Sequence, residues 1–269
     1  MSYQHLTVER TGHVLTCGMA NPPSHTLTAA EVQELHRLLN EVEADPNIRV
    51  LVLTGAAEGV FIAHYDVAEL ADTAETHHGL PEHMTRGQGE LHAVHRLCLR
   101  LEHMPAITIA ALNGNAAGGG CEVSLACDFR LMADGPYSYG LPETTVGIIP
   151  GAGGTQRFAH MLGTAKALDL ILHGTMLTPQ EAFDLGLIHR LYPDAEFRQR
   201  VAEFAETLAS RAPIAISAAK QAINHGAYLP LEEGLSFEQR AFNRTMQSED
   251  AVAAMRAWLR GEDYQWRGR

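Results

Sequence analysis

Two unbroken apolar runs of strand length, Ile48 to Gly55 (IRVLVLTG) and Ala106 to Leu112 (AITIAAL), constrain this chain more than any other feature. A strand with one wet face alternates apolar and polar residues. A run without alternation needs cover on both faces, the habit of parallel sheets flanked by helices. Between the runs lies a helical stripe, Leu91, Val94, Leu97 and Leu101; ahead of them lies another, Val32, Leu35, Leu38, Leu39 and Val42. Thr28 and Glu31 fit a capping box for the earlier stripe, and Pro46 closes it. Two alternating runs around Thr11-Gly12 predict an N-terminal hairpin, and GLIHRLYP, ending at Pro193, supplies one more short strand. Strands alternating with helices make an α/β chain. From Asp194 onward only helical patterns remain, with Pro213 suited to a first turn and Ser248 to an N-cap. The expected organisation is an α/β core over residues 1–193 and a helical C-terminal subdomain over 194–269.

Charge and cysteine usage exclude several function classes. A formal charge of −12 argues against nucleic acid and anionic membranes, which are held by Lys and Arg. The N-terminus shows no apolar segment behind a basic one, and no apolar stretch approaches the ~20 residues of a span, so a cytoplasmic protein is expected. Cys17, Cys98, Cys121 and Cys127 form no CxxC pair and read as small buried side chains. The polar stretch from Asp72 to Glu90 carries His77, His78 and His83; solvated loop histidines are the expectation there, and no metal.

Chemistry concentrates in NGNAAGGGCE, where Glu122 stands directly behind three glycines, and in YGLPETTVGIIPGAGGTQR, where Leu-Pro sets an extended approach to Glu143. Neither glycine cluster satisfies G-x-G-x-x-G, Gln156 occupying the place of a third glycine in the second, and neither is a Walker loop. The other use of strand, glycines and helix start is to aim backbone N–H groups at an oxygen that turns negative. Two acids beside such loops can divide proton transfer, one taking and one giving, when their environments differ.

These stretches resemble a known family. IAALNGNAAGGGCEVSLACDF and LPETTVGIIPGAGGTQR are similar to the two central motifs of the enoyl-CoA hydratase/isomerase (crotonase) superfamily, and VFIAHYDVAEL to its first oxyanion-hole motif. The resemblance implies a crotonase-like spiral of ββα units with a C-terminal helical part, assembled as a homotrimer or dimer of trimers. It implies a hydro-lyase of fatty acid metabolism that adds water across the 2,3 double bond of a 2-enoyl-CoA, or removes it, with coenzyme A as part of the substrate and no other cofactor. Tyr65 and Gly119 would supply the oxyanion-hole N–H groups, with Glu122 the base toward water and Glu143 the proton donor to C2. Ala63, His64, Asp66, Val67, Ala68, Gly118 and Pro142 would line the substrate. The family's Ala-Gly-small-Asp reads Ala63-His64-Tyr65-Asp66 here, so two rings either crowd the acyl path or pack on neighbours. Gly261 replaces a lysine that often meets the CoA phosphates, leaving Arg260 or Arg267 as substitutes. Isomerisation, thioester hydrolysis and C–C cleavage use the same oxyanion hole, and a non-catalytic binding role is the reading from another class.

Overall fold

The structure is a computed structural model that describes residues 2–81 and 91–269, and among them the strands form two sheets. The larger has the order β1 (Leu6–Thr11), β2 (Val14–Met19), β3 (Val50–Gly55), β5 (Ile107–Leu112), β7 (Phe129–Asp134), β10 (Arg190–Pro193). β1 and β2 are an antiparallel hairpin with Thr11 opposite Val14, so the turn is Gly12-His13, one residue later than the pattern suggested. The remaining pairs are parallel. In the smaller sheet β4 (Gly59–Ile62) and β8 (Tyr139–Gly140) both run parallel to β6 (Gly114–Ala117), and β9 (Met176–Leu177) closes it antiparallel to β8.

The apolar runs are uninterrupted because alternate residues serve different cores. Leu51, Leu53, Ala110 and Leu112 face one core with Leu35 and Leu38 of α1 (Ala29–Ala44) and Leu97 and Leu101 of α3 (Ala93–His103). Val50, Val52, Ile107 and Ile109 face another, covered by Phe197, Val201 and Ala205 of α8 (Phe197–Ala209). Each such buried Leu, Ile or Phe contributes about 1.5–3 kcal/mol of transfer free energy. Leu91, expected in the α3 stripe, lies before the helix and is exposed.

The successive strand pairs β3–β4, β5–β6 and β7–β8 each place a first strand in the large sheet and a second in the small one, a ββα progression. The second strands lead into α2 (Val67–His77), α4 (Gly119–Leu125) and, through a 3-10 turn at Glu143–Val146, α5 (Gly154–Leu162). α6 (Thr164–Leu172) and α7 (Pro179–Asp184) follow. After α8 come α9 (Pro213–Gly226), with Pro213 in its first turn, α10 (Leu231–Met246) and α11 (Glu249–Leu259), where the Ser248 hydroxyl accepts from Ala251 N at 3.0 Å. Lys220 reaches from α9 into the core, donating to the carbonyls of Leu101 and Ala106 and pairing with Asp128 at 2.8 Å.

One expected loop is partly a helix: Asp72 to His77 belong to α2, His78 caps it, and His83 lies outside the described residues. α2 buries none of its residues, so it lacks the apolar stripe by which a helix is recognised. Among the described residues no helix is long and apolar enough to cross a membrane, and no group of three His, Cys, Asp or Glu could hold a metal ion. The four cysteines are free and buried.

Candidate active site

Because β4, β6 and β8 are parallel neighbours, their carboxyl ends lie side by side, and each runs directly into one of the motifs. Ala63 to Asp66 follow β4, Gly118 to Glu122 follow β6, and Pro142-Glu143 follow β8 after the single residue Leu141. Carboxyl ends of parallel strands are where open α/β sheets form their ligand crevices. Hydrogen bonds splice the three segments: Ala117 N donates to Ala63 O at 3.3 Å and Gly118 N to Gly140 O at 2.9 Å.

Each glycine of the triplet answers a separate contact. Gly118 has φ 49°, and a Cβ there would lie 3.1 Å from Glu143 Oε1. A Cβ on Gly119 would lie 3.1 Å from Tyr65 Cβ and 3.3 Å from Tyr65 N, so these two backbones abut. A Cβ on Gly120 would come within 2.3 Å of the Ile62 carbonyl oxygen. The triplet lets α4 start against the chain that leaves β4. Leu27 is clamped by Leu27 N donating to His64 O and Asp66 N donating to Leu27 O, which leaves the Tyr65 N–H pointing away from that bridge. Gly119 is the first residue of α4, so its N–H has no acceptor within the helix. Two such amides in adjacent backbones can together bind an oxygen that gains negative charge.

The two acids sit in different environments. Glu122, on α4, is 2% exposed, and its Oε1 accepts from Ala152 N at 2.7 Å and Gly154 N at 2.8 Å. Burial pushes its carboxyl pKa up, while those amides and the charge of Arg157 pull the other way. Glu143 opens the 3-10 turn, with Oε2 buried and without a hydrogen-bond partner. Burial, reinforced by the nearby Glu122 carboxylate, pushes its pKa up to about 7. A buried carboxylate bound by two amides holds a fixed orientation, and a carboxyl whose pKa lies near neutrality can give or take a proton. The extended approach to Glu143 is β8; Pro142 itself, at φ −87° and ψ 10°, starts the turn.

The first motif is organised around Asp66. Its Oδ1 accepts from Ala68 N and Glu69 N, capping α2, and its Oδ2 accepts from the Thr26 hydroxyl, so this carboxylate is committed to the scaffold. Hydrogen bonds, first from the Glu69 N–H, hold its pKa below the ordinary value. The Tyr65 hydroxyl donates to Glu69 Oε2 at 3.0 Å, and that oxygen also accepts from Ala29 N. Burial and the Glu69 contact push the phenol up to about 12. The Tyr65 ring therefore packs on its neighbours and is tethered to α2. His64 is exposed, its Nδ1 2.7 Å from Tyr65 O, and its Cβ lies 3.9 Å from where a Cβ on Gly118 would stand. Val67 and Ala68 form the exposed first turn of α2. Arg260 is paired with Glu262.

Nothing in the local pattern singles out Arg157, the last residue of PGAGGTQR, although the structure brings it beside Glu122. Its partner Glu102 is 55 residues away, and its other acceptor is a backbone carbonyl, so neither contact leaves a local pattern.

A sequence model of the family described as Enoyl-CoA hydratase/isomerase matches residues 9–269. The chain is 31% identical over 262 residues to the short-chain-enoyl-CoA hydratase of Clostridium acetobutylicum, with 96% of each chain covered. Its fold is similar to the crystal structure of an enoyl-CoA hydratase from Bacillus anthracis, at TM-score 0.88 and 36% identity over 99% of this chain and 100% of that one. A crystal structure from Geobacillus kaustophilus, also an enoyl-CoA hydratase by its description, is similar at TM-score 0.90 and 30% identity, covering 100% and 98%.

Proposed function

This chain belongs to the enoyl-CoA hydratase/isomerase (crotonase) family, as an enoyl-CoA hydratase-like enzyme with the crotonase fold, and from that premise we propose that it hydrates a 2-enoyl-CoA. The observation that carries the proposal is the meeting of two abutting backbone segments, at Tyr65 and Gly119, with two unlike carboxyl groups at the ends of β4, β6 and β8. The thioester oxygen accepts from Tyr65 N–H and Gly119 N–H, which favour the enolate-like charge that builds there as C3 is attacked. Glu122, held through Oε1 by amides that favour its carboxylate form, takes a proton from water while the water oxygen bonds to C3. Glu143, whose pKa of about 7 supports a protonated state near neutrality, gives its proton to C2. The product is the 3-hydroxyacyl-CoA; the proton on Glu122 then replaces the one Glu143 gave up, directly or through solvent. Coenzyme A enters as part of the substrate. The mechanism assigns no chemical step to Ala63, His64, Val67 or Ala68, which flank the thioester.

A homotrimer or dimer of trimers is part of the same reading. It is supported by the apolar side chains that α10 and α11 leave exposed, among them Leu231 at 78%, Trp258 at 78% and Leu259 at 77%. The test is loss of enoyl absorbance when the purified protein meets crotonyl-CoA and longer 2-enoyl-CoAs. Glu122→Gln and Glu143→Gln are each expected to lower kcat by about 10²–10⁴-fold while the protein stays folded. Migration of the double bond without loss of the enoyl group would replace hydration by isomerisation.

A further inference from the structure

Glu122 does not reach its position through its own helix alone. The amides that hold its Oε1 belong to Ala152 and Gly154, in the glycine loop before α5. That loop is gripped in turn: Arg157, in the first turn of α5, donates from Nη1 to Ala152 O at 3.2 Å. Its Nη2 donates to Glu102 Oε2 of α3 at 2.8 Å, and the two side chains are only 12% and 18% exposed. Gly153 between them has φ 103°, and a Cβ there would strike Nη1. Polar contacts thus lead from Glu102 through Arg157 to the Ala152 carbonyl, and from the N–H groups of Ala152 and Gly154 on either side of it to the Glu122 carboxylate. All of them are buried or half-buried, where a pair is screened little and an unpaired charge is costly.

We propose that Arg157, anchored by Glu102, is a positioning residue for Glu122 in the hydration reaction. The inference rests on the reading of Glu122 as the base toward water. Arg157 holds the carbonyl of the Ala152–Gly153 peptide, which lies between the two peptides whose N–H groups meet Oε1, and so keeps both amides directed at that oxygen, leaving Oε2 for the water. Its cationic charge also favours the ionised carboxylate that a base requires, opposing the effect of burial. An Arg suits both tasks because its fork can hold a carbonyl and a carboxylate at once, whereas a Lys is a point charge.

Among the described residues, the titratable groups facing Arg157 besides Glu102 and Glu122 are His95, Cys98 and His103 of α3 and Tyr228 beyond α9, while Glu143 faces Glu122. Several of these can titrate near the same pH, so the assignment is made by variants rather than by the position of a limb. All of them are retained in Glu122→Gln, which lacks only the carboxylate in question.

The experiment measures kcat and KM against pH on crotonyl-CoA for the wild type, Glu122→Gln, Arg157→Gln, Arg157→Lys and the double variant Glu102→Gln/Arg157→Gln, with folding followed by circular dichroism. The double variant removes both charges together and so remains informative if Arg157→Gln strands a buried carboxylate and unfolds. In Arg157→Gln and in the double variant kcat should fall about 10²-fold, the scale of a small misplacement, with KM changed only a few-fold. The acid limb of kcat should move to higher pH in both. Arg157→Lys should keep the wild-type limb and lose less activity. A folded double variant with wild-type kcat and limb, beside an inactive Glu122→Gln, overturns this inference alone. Full turnover in Glu122→Gln overturns the reading of Glu122 and this inference with it.

Discussion

Gly119→Ala adds one methyl group at the closest approach between the two amides proposed to bind the thioester oxygen. The new Cβ would lie 3.1 Å from Tyr65 Cβ, 3.3 Å from Tyr65 N and 3.5 Å from Tyr65 Cα. Such contacts are too tight by a few tenths of an ångström, and what must yield is the Tyr65 backbone. Tyr65 cannot yield freely, because His64 O and Asp66 N are bonded to Leu27 and the phenol to Glu69. The expected result is therefore a turned or displaced Tyr65 N–H in a protein that still folds. Losing one oxyanion donor costs about 10²–10³ in kcat, or roughly 2.7–4 kcal/mol of transition-state stabilisation. KM should change little, because the lost interaction strengthens only as charge builds on the oxygen. Gly120→Ala is the contrasting variant: its Cβ would press within 2.3 Å of the Ile62 carbonyl oxygen, so folding, rather than turnover, should fail. Steady-state hydration of crotonyl-CoA together with thermal melts reads both. A folded Gly119→Ala enzyme with wild-type kcat would refute the placement of the oxyanion hole between Gly119 and Tyr65.

Three further outcomes are expected. Glu143 has its folded-state pKa raised from the ordinary 4.5 to about 7, so the folded state binds this proton more tightly and its contribution to stability is lost as pH rises toward and through 7. Glu143→Gln should then melt higher than the wild type at pH 8 and nearly with it at pH 4.5; a gain that appears only at the lower pH would reverse the sign. Lys220→Met leaves Asp128 buried without its cation and should cost about 3–5 kcal/mol in a denaturant titration, whereas an unchanged midpoint would mean the pair adds nothing. Tyr65→Ala keeps the backbone N–H and frees the space of a ring tethered to Glu69, so relative kcat/KM should shift toward branched 2-enoyl-CoAs, and an unaltered ranking across chain shapes counts against the ring as a determinant.

What was legible in the sequence follows from the range of the interactions concerned. The β3 and β5 runs and the α1 stripe are local periodicities set by burial, and Ser248 and Pro213 are local rules of helix starts, so they appear where expected. Glu122 and Glu143 were visible because glycines flanking an acid are unusual without a close approach, although the particular contacts are not encoded nearby. The bare Cα of Gly119 accommodates Tyr65, a residue 54 positions earlier, and no local pattern announces that contact. Asp66 resembles a site residue by motif yet spends its oxygens on the α2 cap and on Thr26, two uses that look identical in sequence. Arg157 carries no local signal because a guanidinium holding a peptide carbonyl and a distant carboxylate leaves no spacing to read.

The division of β3 and β5 between two cores has a consequence for synthesis on the ribosome. Leu51 and Leu53 can be covered early, by α1 and then α3, but the opposite face of the same strands waits for α8. Val50 and Val52 are made roughly 150 residues before Phe197, Val201 and Ala205, and at ~5–20 residues per second that interval lasts on the order of ten seconds or more. During it an apolar strip on a growing sheet has no intramolecular cover. That face of the nascent sheet stays open until Phe197, Val201 and Ala205 have emerged, so codon choice between β3 and α8 sets how long the exposure lasts.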